Sequence, residues 1–253
     1  MTKKFAVLGS PISHSLSPQI HAAAFAAQGL KHSYERFDVA ELAPFIAEAD
    51  DFAGFSLTMP LKEQALQLAE RVSDSALETG GVNTLLRTDR GWSGFNTDVD
   101  GIRGAIANCD FQTVSVLGTG ATARSSLAAL RGNLTLVWGR NQDRQLELAE
   151  RFDARVASLE EALNADLVIS TLTAGALWEL LTDSYPGTLL DVVYAKQGND
   201  PATRFANSIS GVEMLLHQAL IQQRIFATGD PNLPLPEEVR VFAAMRSALG
   251  MEE

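Results

Sequence analysis

Apolar positions along the chain fall into two alternating rhythms. Short runs that read as buried strands at 5–8, 33–37 and 54–57 are separated by helical spacing at 18–28 and 41–49, a βαβα order. Ser17 as N-cap, Pro18 in the first turn and Gly29 past the last apolar position punctuate the first helix at both ends. A helix from Leu61 carries Ala65, Leu68 and Ala69 on one face and puts Lys62 in its first turn. A cation there opposes the helix macrodipole, and a residue that breaks a local preference is a candidate for function. Strands at 82–87 and 92–95 flank Asp89-Arg90-Gly91 and read as a hairpin, which makes the sheet mixed.

A helix over 98–107 and the polar stretch 108–112 close this series, and the alternation then restarts. Strand 113–117, a glycine-rich turn, helix 123–130, strand 134–138, helix 143–151 and strands 167–170 and 188–192 follow one another in a doubly wound pattern. Apolar helices over 212–226 and 236–249 end the chain. The expected fold class is α/β: an N-terminal α/β domain over 1–107 with a mixed, mainly parallel sheet, a Rossmann-like doubly wound domain over 108–210, and C-terminal helices over 211–253.

Composition narrows the function classes. Hydrophobic residues at 46% and charged residues at 20% are those of a globular protein, and a net charge of -11 repels a phosphate backbone, so nucleic acid is not an expected partner. Cys109 is the only cysteine, which rules out an intrachain disulfide and suits a reducing compartment. The N-terminus turns polar too soon for a signal-peptide core, and no run approaches the roughly 20 apolar residues of a membrane helix, so the expectation is a cytoplasmic protein without membrane partners. His14, His21, His32 and His217 lack paired metal-ligand spacing and read as surface, packing or local hydrogen-bonding residues; no metal is expected.

Gly118-Thr119-Gly120-Ala121-Thr122-Ala123 follows a strand and opens a helix, matching G-x-G-x-x-A, where small residues let the backbone approach a pyrophosphate. An NAD site places an acid at the tip of the second strand. This chain has Trp138-Gly139-Arg140-Asn141 there, and Arg140 with Arg144 could grip a 2′-phosphate, which favours NADP. Asp143 between them keeps NAD as an alternative.

Four polar clusters, Ser15-Leu16-Ser17, Thr58 to Lys62, Val82-Asn83-Thr84 and Asn96-Thr97-Asp98, lie at or next to the ends of the expected strands, where α/β folds line their ligand crevices. With GSPISHSLSPQIH, SLTMPLK, GVNT, GFNTDVDG, GTGATAR, DVVY and GVEMLLHQ in this order, the sequence resembles the shikimate dehydrogenase family across nearly its whole length. The resemblance implies reversible hydride transfer between NADPH and 3-dehydroshikimate, with the first domain binding substrate, the second NADP, and the closing helices folding back on the first. It implies that Ser15 and Ser17 hold the substrate carboxylate with Tyr194 near it. Thr58, Lys62, Asn83, Asp98 and Gln218 address the hydroxyl groups, and Thr97 belongs to the same substrate-binding set. Lys62 is the implied proton donor and alkoxide stabiliser, and Asp98 the orienting carboxylate. Gly118, Thr119, Gly120, Ala121, Thr122, Ala123, Arg124, Arg140, Asn141 and Arg144 take the cofactor.

The chain departs from the family's commoner residues at Ser56-Leu57, Gly81, Ala121, Gly139 and 170–173. Rival readings are a quinate or dual quinate/shikimate dehydrogenase, a tetrahydrofolate-type dehydrogenase, against which the paired serines and Asn-Thr-Asp speak, and a non-catalytic NADP-binding regulator. Monomer and homodimer are both compatible with the apolar C-terminal helices.

Overall fold

The structure, a computed structural model, describes residues 2–194 and 198–251. It divides into two compact units, Met1–Thr97 with Leu216–Glu253, and Asp98–Leu215.

The first unit contains strands β1 (Lys4–Gly9), β2 (Ser33–Asp38), β3 (Phe52–Leu57), β4 (Arg71–Val72), β5 (Thr84–Thr88) and β6 (Gly91–Phe95), with helices α1 (Ser17–Ala27), α2 (Leu42–Ala47), α3 (Lys62–Leu68) and α4 (Asp74–Thr79). Its sheet order is β2-β1-β3-β5-β6-β4. β1 runs parallel to β2 and β3, and the β5–β6 hairpin is antiparallel, so the sheet is mixed as its alternation predicts. Period-two alternation in β1 sends Ala6 and Leu8 into one core with Phe55, Leu57 and Leu61, and Phe5 and Val7 into another with Phe25 and Phe226. Both faces are therefore covered, which explains why five of its six residues are buried.

The second unit begins with α5 (Asp98–Ala105) and continues through β7 (Thr113–Leu117), α6 (Ala121–Ala129), β8 (Leu134–Trp138), α7 (Gln142–Phe152), β9 (Arg155–Val156), α8 (Leu159–Leu163), β10 (Leu167–Ser170), β11 (Tyr185–Asp191) and β12 (Phe205–Ser210). The order β12-β11-β10-β7-β8-β9 is all parallel. This is the doubly wound dinucleotide-binding order, in which chain direction across the sheet reverses between β7 and β10. Val114, Val116, Leu127 and Ile169 pack on one face; Leu117, Leu136, Val168 and Leu189 pack on the other. Helix α9 (Gly211–Thr228) and helix α10 (Glu238–Ser247) complete the chain. From Leu216 onward they belong to the first unit, where Phe226 packs on Phe5 at 4.5 Å and Gln19 of α1 donates to the Ala248 carbonyl.

Three features differ from the sequence reading. Helix α5, expected to close the first domain at 107, buries Val99 and Ile102, and Ile106 just after it, in the core of the second unit. Ser17 is the first helical residue of α1, not its cap: Leu16 occupies the cap without a side-chain bond, and Ser15 Oγ accepts from the Ser17 amide at 3.3 Å. The Ser17 hydroxyl is consequently available elsewhere. Strand β12 has no counterpart in the hydrophobic pattern, because FANSIS is largely polar and exposed; the ladder to β11 defines it.

Candidate active site

The polar clusters of the first unit gather at one edge of its sheet. β1 and β3 point their C-terminal ends there, and β5, being antiparallel to β3, starts there. Backbone bonds tie the edge together: Thr58 N–H donates to Leu8 O at 2.9 Å, Leu57 N–H to Asn83 O at 2.7 Å, and Asn83 N–H to Phe95 O at 2.9 Å. The Lys62 carbonyl accepts from Val82 N–H at 2.9 Å, so the segment leading to Asn83 runs beside the first turn of α3. Lys62 is the first residue of that helix and is half-buried.

Side chains then converge. Asn83 Nδ2 donates to Thr97 Oγ1 at 3.0 Å, its Oδ1 accepts from Thr97 N–H at 2.9 Å, and Thr97 Oγ1 lies 3.3 Å from Gln218 Oε1 of α9. All three residues are buried. Asp98, the next residue along the chain, opens α5 and is only 5% exposed. Tyr194 lies in the second unit, three residues past β11 and half-buried. On the other side of the edge, Arg36 donates to the carbonyls of Ser13 (2.8 Å) and Ser15 (3.5 Å) and so holds the serine loop. A recess of about 610 Å³ beside that loop is lined by Ser15, Glu35 and Arg36 and by none of Thr58, Lys62 or Asn83.

A buried network missed by sequence reasoning backs this edge. His21 is fully buried, stacked on Tyr34 at 4.2 Å, and hydrogen-bonded at Nε2 to Gln222 (3.1 Å) and at Nδ1 to Gln223 (2.7 Å). Burial pushes its pKa down to about 3, so the ring is neutral. Tyr34, whose hydroxyl donates to Ser56 Oγ at 2.6 Å, has its pKa pushed up by the same cause. His21 takes the packing role open to it in the sequence reading, but its hydrogen-bond partners are not local: they lie about two hundred residues away. The available signal was Gln222-Gln223, two adjacent amides in a helix with many apolar residues.

In the second unit the glycine turn sits at the reversal point. Gly118 has φ +122, and a Cβ there would run into Thr171 Oγ1 of the segment after β10, so only glycine fits. Helix α6 starts at Ala121 behind Gly120, which offers no side chain to its first-turn N–H groups, whereas α7 is capped by Asn141 Oδ1 accepting from Arg144 N–H at 3.0 Å. Ser170 Oγ, at the end of β10, is a buried side-chain oxygen without a hydrogen-bond partner among the described residues. Uncapped donors, a glycine-limited approach and an orphaned hydroxyl at the reversal point suit a bound dinucleotide. Arg140 and Arg144 flank the start of α7, both exposed. Gly139 is buried with Thr119 Cγ2 2.5 Å from where its Cβ would lie, which accounts for the missing side chain at this departure from the family. Among the described residues, no helix is long and apolar enough to cross a membrane, and no cluster of three metal-ligating side chains occurs.

Comparison with known proteins agrees with this layout. The family model for the shikimate dehydrogenase substrate binding domain matches residues 7–85. The NADP(+) shikimate dehydrogenase of Thermus thermophilus is 35% identical, with 98% of this chain and 99% of that protein covered. This chain belongs to the shikimate dehydrogenase family. The crystal structure of the Thermus thermophilus member in complex with NADP(H) and shikimate superposes with a TM-score of 0.81 at 34% identity, covering 98% of this chain and 100% of that one. The Mycobacterium tuberculosis shikimate dehydrogenase gives a TM-score of 0.80 at 35% identity, covering 97% and 99%. Family membership thus rests on both units and not on the glycine turn alone.

Proposed function

We propose that this protein catalyses the NADP-dependent, reversible reduction of 3-dehydroshikimate to shikimate. The observation that carries the reading is the meeting of Asn83, Thr97 and Gln218, far apart in sequence, with the Lys62 turn hydrogen-bonded to the strand that presents Asn83. Amide and hydroxyl groups held in a buried network and backed by a lysine suit a polyhydroxylated ring.

In this reading Ser15 and Ser17 take the substrate carboxylate with Tyr194, while Thr58, Asn83, Thr97 and Gln218 bind ring hydroxyls. Lys62 Nζ donates to the oxygen at the reacting carbon, stabilises its growing negative charge and delivers the proton. Asp98 is the orienting carboxylate, accepting from a substrate hydroxyl. NADPH supplies the hydride when bound. Gly118, Thr119, Gly120, Ala121, Thr122, Ala123 and Arg124 would hold its pyrophosphate, and Arg140 and Arg144, with Asn141 between, its 2′-phosphate. The half-buried, unpaired Cys109 is at home in the reducing cytoplasm, where we place the enzyme as a monomer or homodimer.

Purified protein given shikimate and NADP⁺ should produce reduced nicotinamide, read by its absorbance. Lys62→Ala should lower kcat by roughly 10² to 10⁴-fold with shikimate binding retained, as expected of a general acid. A wild-type protein inert towards shikimate, or a Lys62→Ala variant with undiminished kcat, defeats the reading.

A further inference from the structure

The Gln222 side chain hydrogen-bonds no side chain assigned to the substrate, yet it is 1% exposed and uses all of its principal hydrogen-bonding capacity. Its Oε1 accepts from Ser56 Oγ at 2.7 Å and from His21 Nε2 at 3.1 Å. Its Nε2 donates to Thr84 Oγ1 at 2.9 Å and to the Asn83 carbonyl at 3.4 Å. An amide oxygen only accepts and an amide nitrogen only donates, so each neighbour's hydrogen has one allowed direction. Thr84, already accepting from Gln222, turns its own hydrogen to Asn83 Oδ1 at 2.8 Å. That bond, with the one from Thr97 N–H, keeps the Asn83 oxygen inward and aims its Nδ2 at Thr97. Gln222 also lies one helical turn after Gln218, on the same face of α9, and so pins the helix to the sheet edge where Gln218 meets Thr97.

Resting on the proposed function, we infer that Gln222 is a positioning residue for substrate binding: it locks α9 to the sheet edge and, through Thr84, sets the orientation of the Asn83 amide. Gln223 supplies a built-in contrast. It is equally buried, accepting from Gln28 Nε2 at 2.9 Å and bonding His21 Nδ1 at 2.7 Å, but its bonds lead away from Asn83. Loss of either amide removes buried hydrogen bonds; only loss of Gln222 releases Asn83.

The test compares Gln222→Met, Gln222→Glu and Gln223→Met. Gln222→Met should raise KM for shikimate by about tenfold or more, with kcat within about twofold and KM for NADP⁺ unchanged, because the lost interaction serves bound substrate and transition state alike. Gln222→Glu, which keeps the acceptor towards Ser56 and His21 and loses the donor towards Thr84, should show a smaller rise of about two- to tenfold, the scale of one neutral hydrogen bond. Gln223→Met should lower the melting temperature comparably and leave KM alone. If Gln222→Met fails to fold, Thr84→Val cuts the same link at nearly constant shape and should raise KM in its place. A readout independent of turnover is the side-chain amide resonance pair of Asn83 in ¹⁵N–¹H NMR, assigned with Asn83→Ala: it should move in Gln222→Met and stay in Gln223→Met. A wild-type protein inert towards shikimate defeats the functional reading alone, since the resonances still report on positioning. Equal KM values for the two methionine variants, or an unmoved Asn83 resonance in Gln222→Met, overturn the inference.

Discussion

His21 makes the stability of the first unit depend on pH in a window set by one ring. In the folded state burial holds its pKa near 3, against 6.5 in an unfolded chain. A base whose folded pKa is depressed leaves stability intact above pH 6.5; below it the unfolded chain takes up a proton that the folded chain refuses. Stability therefore falls with decreasing pH from 6.5 down to about 3, by about 1.4 kcal/mol per pH unit. At pH 5, roughly 1.5 units into the window, the loss is about 2 kcal/mol. His21→Gln removes the titrating group and should flatten this slope while lowering stability at pH 7, because the stack on Tyr34 and the bonds to both glutamines are disturbed. Urea unfolding at pH 7 and pH 5, followed by the fluorescence of Trp92 in a Trp138→Phe, Trp178→Phe background, reports on the first unit. The carboxylates, common to both proteins, cancel in the difference. Equal losses between pH 7 and pH 5 in wild type and His21→Gln would refute a neutral, refractory His21.

Further predictions concern both units. Arg140→Ala and Arg144→Ala should each raise KM for NADP⁺ by roughly ten- to a hundredfold, the loss of a charge-assisted hydrogen bond, and leave KM for NAD⁺ unaltered; steady-state kinetics with both cofactors checks this. Gly118→Ala forces a side chain onto φ +122 and against Thr171, a strain of about 1–3 kcal/mol that should appear as a lower melting temperature and weaker NADP⁺ binding by calorimetry. Ser15→Ala and Ser17→Ala should raise KM for shikimate with little change in kcat, and a pure kcat loss would mean that they position the reacting carbon instead.

The parts of the fold driven by burial were legible. Runs such as those of β1 and β7 are buried on both faces, and their apolar alternation with amphipathic helices predicts two α/β sheets and the antiparallel hairpin. Polar elements were not: β12 and the short α4 are held by neighbours and caps rather than by a hydrophobic stripe, and Ser73 Oγ, accepting from Ala76 N–H, starts the latter. The edge clusters around Lys62, Asn83 and Thr97 could be found because polar residues next to strand ends are local in sequence. The His21–Gln222 pair could not, because a bond between residues about two hundred positions apart leaves only the adjacent amides of Gln222 and Gln223 as its trace. Ser17 shows how one residue can mislead: its type and place fit a helix cap, while the structure makes it the first helical residue and leaves the cap to Leu16.

Positions 119 and 139 behave as a single choice made twice. With the threonine methyl already lodged where a second side chain would begin, restoring bulk at 139 first forces Thr119 to another rotamer, whereas trimming 119 first leaves a gap beside the glycine turn. An engineer grafting a different 2′-phosphate grip onto this scaffold should therefore exchange the two together, and a history of stepwise substitution here would have had to cross one of those two unfavourable intermediates.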